Sequence, residues 1–224
     1  METQRMKSYL SVSNVSALGM CETKAYEYLQ AGARPQNAAM KEGVVAHEKL
    51  TERLPKVSKE QVIEEIKSGK RVHVRELPVF DSKLHIVGRI DQLDVTGIIE
   101  DGKNTGIIID DKFPKEPTKI YGLTLYYKLQ LASYTAAMEN SNDYGSICKI
   151  IGARLIYREK QSNNIIRQFE MDRVRLNACT SNISIAVEDT WKLYRKEKEP
   201  EHRRFDVENG NWVGCYCRGQ GFKL

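Results

Sequence analysis

The spacing of hydrophobic positions along the chain changes character several times. From Val12 to Gln30 apolar residues recur at helical intervals, with Ser11 or Ser13 placed to cap the start and the Gly32 to Pro35 stretch placed to end it. A second helical pattern runs from Ala38 to Arg53. A third, from Ser58 to Lys67, has Ser58 and Gln61 at capping-box spacing and Gly69 as its stop. The pattern then becomes that of strands. Arg71 to Phe80, Leu84 to Val95 and Gly106 to Phe113 are rich in Val, Ile and Leu and are separated by short Asp, Ser, Gly and Asn turns, which predicts an antiparallel meander of three sequential strands. Helical spacing returns from about Leu123 to Glu139. Ile150 to Glu159 and Ile165 to Met171 read as two further strands joined at Gln161 to Asn164, and Asp172 caps a long helix to about Glu199. This order predicts an α/β or α+β core on one layered sheet. It divides a single domain into a helical N-terminal section over 1–70, a sheet core over 71–171, and a C-terminal helix with a cysteine-containing tail over 172–224.

Two of the predicted strands end in acids: Val87 to Asp94 reads Val-Gly-Arg-Ile-Asp-Gln-Leu-Asp, and Ile107 to Phe113 reads Ile-Ile-Ile-Asp-Asp-Lys-Phe. An ionised carboxylate out of water costs several kcal/mol unless a cation meets it, so acids in such runs call for a partner. A divalent metal ion with the neighbouring lysine is the economical one. Strand alternation puts Asp110 and Lys112 on one side and Asp111 on the other. In the preceding strand it puts Arg89, Asp91 and Leu93 on one face and Ile90, Gln92 and Asp94 on the other. If these strands pair, Asp91 and Asp110 converge. Carboxylates beside an ammonium suit Mg²⁺ or Mn²⁺ and, through them, phosphodiester hydrolysis. Taken alone, so short an Asp-x-Lys pattern also describes a surface turn at a strand end.

Composition narrows the field only slightly. With 224 residues, 41% hydrophobic and 29% charged, the chain can bury one sizeable core. The net charge of +5 is uneven: 21 basic against 20 acidic residues up to position 150, then 14 against 10. Such a surplus permits an anionic partner without demanding one. No apolar run approaches the ~18 residues of a membrane helix, and the N-terminus lacks a signal-peptide core, so a cytoplasmic protein without a membrane partner is expected. Five cysteines, an odd number, argue for free thiols or metal ligation over disulfides. Cys148 and Cys179 read as small buried residues.

Gly88-Arg89-Ile90-Asp91, then Asp110-Asp111-Lys112, then Gln130-Leu131-Ala132-Ser133-Tyr134 on the following helix together resemble the motifs of the PD-(D/E)XK nuclease superfamily in its RecB-like branch. Gly43-Val44-Val45-Ala46-His47 is similar to the metal-binding histidine motif of that branch. Cys21-Glu22-Thr23-Lys24-Ala25-Tyr26 resembles the cysteine-led helix of its CRISPR-associated exonucleases. The resemblance implies a restriction-endonuclease-like core, a mixed central sheet flanked by helices. It makes His47, Asp91 and Asp110 ligands of Mg²⁺ or Mn²⁺, with the Asp111 backbone carbonyl as a further one and Lys112 as the catalytic lysine. Gln130 and Tyr134, four residues apart on one helix face, would support the site and contact substrate.

The implied activity is a metal-dependent deoxyribonuclease, an exonuclease or end-processing enzyme on single-stranded DNA or overhangs, with CRISPR adaptation proteins as partners and oligomers of unfixed symmetry. Alternatives are a DNA-binding adaptor of the same fold working with an integrase or helicase, and a DNA repair or recombination nuclease outside CRISPR. Lys115, Lys119 and Lys128 with Tyr121, Tyr126 and Tyr127 are candidates to track phosphates and stack unpaired bases. CRISPR-associated members tie an N-terminal cysteine to three C-terminal ones around an iron-sulfur cluster. Here Cys21, Cys215 and Cys217 fit, but the tail has no fourth cysteine and the Cys-x-Cys spacing is tight. A three-thiolate site completed by another group, and no cluster at all, both stay open.

Overall fold

The computed structural model describes residues 8–32, 38–51, 58–114, 116, 120 and 122–215; the side chains of residues 38–40, 47 and 49–51 fall outside the description. Its centre is a mixed six-stranded sheet made of β1 (Leu10–Ser11), β2 (Arg71–Asp81), β3 (Ile86–Glu100), β4 (Lys103–Lys112), β5 (Cys148–Arg158) and β6 (Ile165–Asp172). The meander read from the sequence is present, since β2 pairs antiparallel with β3 and β3 with β4. β5 joins β4 in parallel, and β6 closes that side antiparallel to β5.

The connection from β4 to β5 runs through α5 (Leu125–Glu139), whose start is capped by the Thr124 hydroxyl accepting from the Tyr127 amide. Leu129, Leu131, Ala132, Ala136, Ala137 and Met138 are all buried, around most of the helix circumference. That is the pattern of a helix enclosed on more than one side. The sheet lies on one side of it; α1 (Val12–Ser16), α6 (Arg173–Ser181) and α7 (Ile183–Tyr194) pack on the others. Also present are α2 (Glu22–Gln30), α3 (Ala38–Thr51) and α4 (Lys59–Lys67). Ser58 caps α4 through the Gln61 amide, and Gly69 follows at φ 72.

Two predicted helices are each divided in the structure. The single helix over 12–30 is divided into α1, a 3₁₀ turn at Ala17–Gly19, and α2, which starts after an extended Cys21. Ser11 does cap the first piece, in a capping box with Asn14. The break follows from packing: a Cβ on Gly19 would stand 2.5 Å from the Leu125 carbonyl carbon and the Tyr126 nitrogen, so the turn lies directly on the start of α5. The long helix expected after Asp172 is likewise two, parted at Asn182, whose side-chain amide donates to the Ala178 and Val207 carbonyls at 3.1 and 3.0 Å.

The C-terminal section also holds an unforeseen hairpin, β7 (Arg203–Asp206) with β8 (Asn211–Gly214), and the N-terminal section contributes β1 to the sheet. Arg-Arg-Phe-Asp carries one apolar residue and offers no periodicity, yet Phe205 is wholly buried, edge-to-face with Trp212 at 5.3 Å. The fully buried Glu22 carboxylate ties α2 to this region through Lys198 and through Arg203 Nε at 2.8 Å. Among the described residues no helix is long and apolar enough to cross a membrane.

The contact at Gly19 gives a direct test of how the N-terminal turn supports α5. The nearest atoms to an added methyl are backbone, so they cannot move aside. Gly19→Ala is expected to lower stability by about 2 kcal/mol or more, the upper part of the overpacking range. Urea denaturation followed by far-UV circular dichroism measures it.

Candidate active site at a fork in the sheet

β2 accompanies β3 along one edge from Thr96 back to Ile86. On the other edge β1 pairs only with Ile86 and Val87, and β4 begins pairing at Gln92. Gly88 to Asp91 therefore has no ladder partner on that side among the described residues. The end of β4, Asp110 to Lys112, continues beside β5 instead. The sheet forks here, and the candidate residues line the fork.

Regular alternation fails at the same place. A Cβ on Gly88 would lie 2.7 Å from Tyr134 Cε1 and 2.8 Å from Val12 Cγ2, so this glycine faces α5 and lets the tyrosine ring come close. Ile90 follows it into the core, yet so does Leu93, an odd number of residues on. The slip falls at Asp91. Opposite it, Glu76 lies between the Arg75↔Gln92 and Leu77↔Ile90 pairs and takes φ 53, a left-handed conformation uncommon for a non-glycine residue. The expected common face of Arg89, Asp91 and Leu93 is thereby corrected. Arg89 is exposed and reaches Glu76 Oε2 at 3.4 Å, while Asp91 and Leu93 turn inward.

Continuing the β3–β4 register by one step places Asp91 across from Asp110. Asp110 is 1% exposed, and Lys112 Nζ stands 2.6 Å from its Oδ2. The contact is one of charge: neither Asp110 oxygen has a hydrogen bond of regular geometry, although both are buried. Burial, opposed by Lys112 and reinforced by Asp91, pushes the Asp110 carboxyl up to about 7. Burial works to lower the Lys112 ammonium, but Asp110 and Asp91 outweigh it and hold the group well above the usual lysine value. The lysine is thus kept charged. A buried carboxylate met by a single ammonium, beside a second carboxylate, is a hard oxygen donor set of the kind Mg²⁺ and Mn²⁺ take. The residues fit such an ion.

α5 supplies the wall of the site. Gln130 Nε2 donates to Tyr134 Oη at 3.4 Å, and the buried Gln130 Oε1 lacks a donor. Burial, with Asp110 and Asp91 adding to it, raises the Tyr134 phenol, so its hydroxyl keeps its proton. Lys112 Nζ lies 5.5 Å from the centre of the Tyr127 ring. Beyond that ring an edge-to-face series continues through Tyr157 at 6.3 Å to Phe169 at 6.0 Å.

Asp111 faces the reverse of the sheet, as alternation predicts. Its Oδ1 takes Arg158 Nε at 2.7 Å, its Oδ2 takes Gln92 Nε2, and its backbone N–H donates to Asp91 Oδ2 at 3.0 Å. Gln92 and Arg158 were not singled out from the sequence. The available signal was polar residues at strand positions where Ile and Leu surround them.

Lys128, a candidate DNA contact, is 12% exposed and paired with Glu208, which Arg175 also holds, so it serves as an internal tie. Lys115, Lys119, Tyr121 and Cys217 lie outside the described residues. His47 falls on α3 as expected, with its side chain outside the description. Cys215 Sγ lies 3.6 Å from the carbonyl oxygen of Met20, next to the buried Cys21, so the segment after β8 touches the turn before α2. Among the described residues no three His, Cys, Asp or Glu side chains gather to hold a metal. Cys148 and Cys179 are buried, and burial pushes both thiols up to about 12, as befits packing residues.

No family model and no curated protein matches the sequence. Among solved structures, the chain is similar to a protein from Eubacterium rectale provisionally named an exonuclease, with a TM-score of 0.52 and 16% identity over 97% of this chain and 90% of that one. An alkaline exonuclease from Laribacter hongkongensis aligns at a TM-score of 0.44 and 13% identity, over 85% of this chain and 90% of that one. At 16% identity the first likeness establishes the fold: a mixed sheet flanked by helices, shared with a protein named as an exonuclease.

The raised Asp110 carboxyl makes the metal-free fold sensitive to pH. Between an unfolded value of about 4 and the folded value of about 7, the folded chain holds a proton that the unfolded chain has released. This group's contribution to stability therefore falls as pH rises across that window and levels off above it. Denaturation midpoints of metal-free protein from pH 5 to 8 should fall more steeply for wild type than for Asp110→Asn.

Proposed function

We propose that the chain is a divalent-cation-dependent nuclease that hydrolyses phosphodiester bonds of DNA, acting at single-stranded ends or overhangs as an exonuclease. The observation that carries the proposal is the buried Asp110 carboxylate, ion-paired with Lys112 and set beside Asp91 at the fork. Asp110 and Asp91 would hold the ion, and the resemblance adds His47 on α3 and the Asp111 carbonyl. When bound, Mg²⁺ or Mn²⁺ supplies Lewis-acid polarisation of the phosphoryl oxygen and a more acidic water.

The chain's own groups divide the rest. Lys112, held protonated, acts as a charged donor to the phosphate and offsets charge that develops on its oxygens. Tyr134 keeps its phenolic proton and, with Gln130, offers polar atoms along the α5 wall. The hydrophobic surround of Ile90, Leu93 and Ile108 excludes bulk water from behind the acids. The half-buried Tyr127 ring beside Lys112 supports a single-stranded substrate, because unpaired bases stack on such rings regardless of sequence. The meeting of Cys215 with the Cys21 region, joined to the resemblance of the cysteine-led helix, extends the proposal to trimming of DNA before spacer integration.

Purified protein incubated with 5′- and 3′-labelled single- and double-stranded DNA plus Mg²⁺ or Mn²⁺ is expected to shorten the single-stranded substrates. Asp110→Ala should abolish the shortening, and Lys112→Ala should slow it by about 10²–10³-fold, the scale of losing one preorganised donor. An inert wild type, or normal cutting by both variants, overturns the proposal.

A further inference from the structure

We propose that Asp111, Gln92 and Arg158 form a clamp on the reverse face of the sheet that sets the separation of Asp91 and Asp110, and with it the affinity and ion-size preference of the cation site. The inference rests on the cation-dependent reading above and deepens it. Gln92 immediately follows Asp91, Asp111 immediately follows Asp110, and these two neighbours are hydrogen-bonded to each other. The bond lies just where the β3–β4 ladder ends, at Gln92↔Ile109. Beyond that point no backbone pairing holds the two strands at a fixed distance, and the side-chain bond takes over.

Arg158 completes the device from β5. Its Nε fixes Asp111 Oδ1 at 2.7 Å, and its Nη1 donates to the Asn163 carbonyl at 3.2 Å, anchoring the guanidinium in the β5–β6 turn. The Asp111 amide reaches back to Asp91 Oδ2 at 3.0 Å. Beyond its place in the β4–β5 ladder, Asp111 thus connects to β3 twice and to Arg158 once, and one of those bonds ends on a candidate ligand. The Asp111 side chain is wholly buried and that of Arg158 is 14% exposed. A buried ion pair gives the fold alone little reason to keep it, since well-packed apolar residues in its place are often neutral or stabilising. Fixing the width of a carboxylate site is a reason that apolar residues cannot satisfy. Asp111, Gln92 and Arg158 are accordingly positioning residues.

The test measures ion binding directly, by calorimetric titration with Mg²⁺, Mn²⁺ and Ca²⁺, alongside melting of the metal-free proteins. Gln92→Leu and the double variant Asp111→Leu/Arg158→Leu are expected to bind Mn²⁺ about tenfold more weakly or worse, the usual scale for outer-shell changes. Mg²⁺, which demands the stricter geometry, should lose more than Ca²⁺, while the double variant melts at or above the wild-type temperature. Wild-type affinities and ion order in both variants would overturn the clamp while leaving the cation site intact. Asp110→Asn separates the two readings: if it binds Mn²⁺ as tightly as wild type, the cation site itself fails and the clamp with it.

Discussion

The arrangement of this protein depends on one interruption in a β-sheet. β3 is paired along one edge for most of its length but exchanges partners on the other, from β1 to β4, and between the two its backbone has no strand partner among the described residues. An open backbone inside a sheet must find other hydrogen-bond partners or lie against side chains. Here the Asp111 amide finds the Asp91 carboxylate instead of a strand, and the gap fills with polar groups that a continuous ladder would exclude. The carboxylates, the lysine and the α5 residues all reach the same small volume because the strands part there.

Such an interruption has to be built by unusual local choices, and these are visible around it. Gly88 removes a Cβ that would collide with Tyr134 and Val12, so the open edge closes against α5 rather than against a strand. Glu76 accepts a left-handed backbone at the point where β3 shifts its inward face by one residue. Residues in sparsely populated backbone regions cost of order 1–3 kcal/mol and persist only where their surroundings fix them. Here the surroundings are the β2–β3 pairs on either side, Arg75↔Gln92 and Leu77↔Ile90.

Much of this was legible in the sequence because it rests on local pattern. The meander and the inward pairing of Asp110 with Lys112 follow from alternation, the helix after them from helical spacing, and Ser11, Ser58 and Asp172 announce their helices as caps. What was not legible depends on contacts between distant segments. The slip at Asp91 is invisible because a rule of period two has no way to know that β4 leaves β3 at Gln92. Gln92 and Arg158 carry no motif, and their role arises only when β3, β4 and β5 lie side by side. The hairpin around Phe205 is set by burial against the helical layer, with too few apolar residues to mark it. The division at Gly19 comes from a close approach to α5 that a single glycine signals only ambiguously.

The charge balance of the fork also decides which chemistry its lysine can perform. A lysine acts as a general base only when burial or a neighbouring cation lowers its pKa toward neutrality. At Lys112 the burial is present, but two carboxylates stand against it and the balance falls on the charged side. In the metal-free chain Lys112 is therefore held as a cation, which is the state that the role proposed for it, a charged donor, requires. At Asp110 the balance is reversed: burial and Asp91 outweigh the ammonium and leave the carboxyl holding a proton to about pH 7. One buried volume thus keeps its lysine charged and its acid reluctant to ionise. The strand that carries both has its third polar residue, Asp111, neutralised on the opposite face by Arg158. Segregating that third charge behind the sheet keeps its repulsion from being added to Asp110. The alternation of side chains along the last three residues of β4 is what makes the segregation physically available.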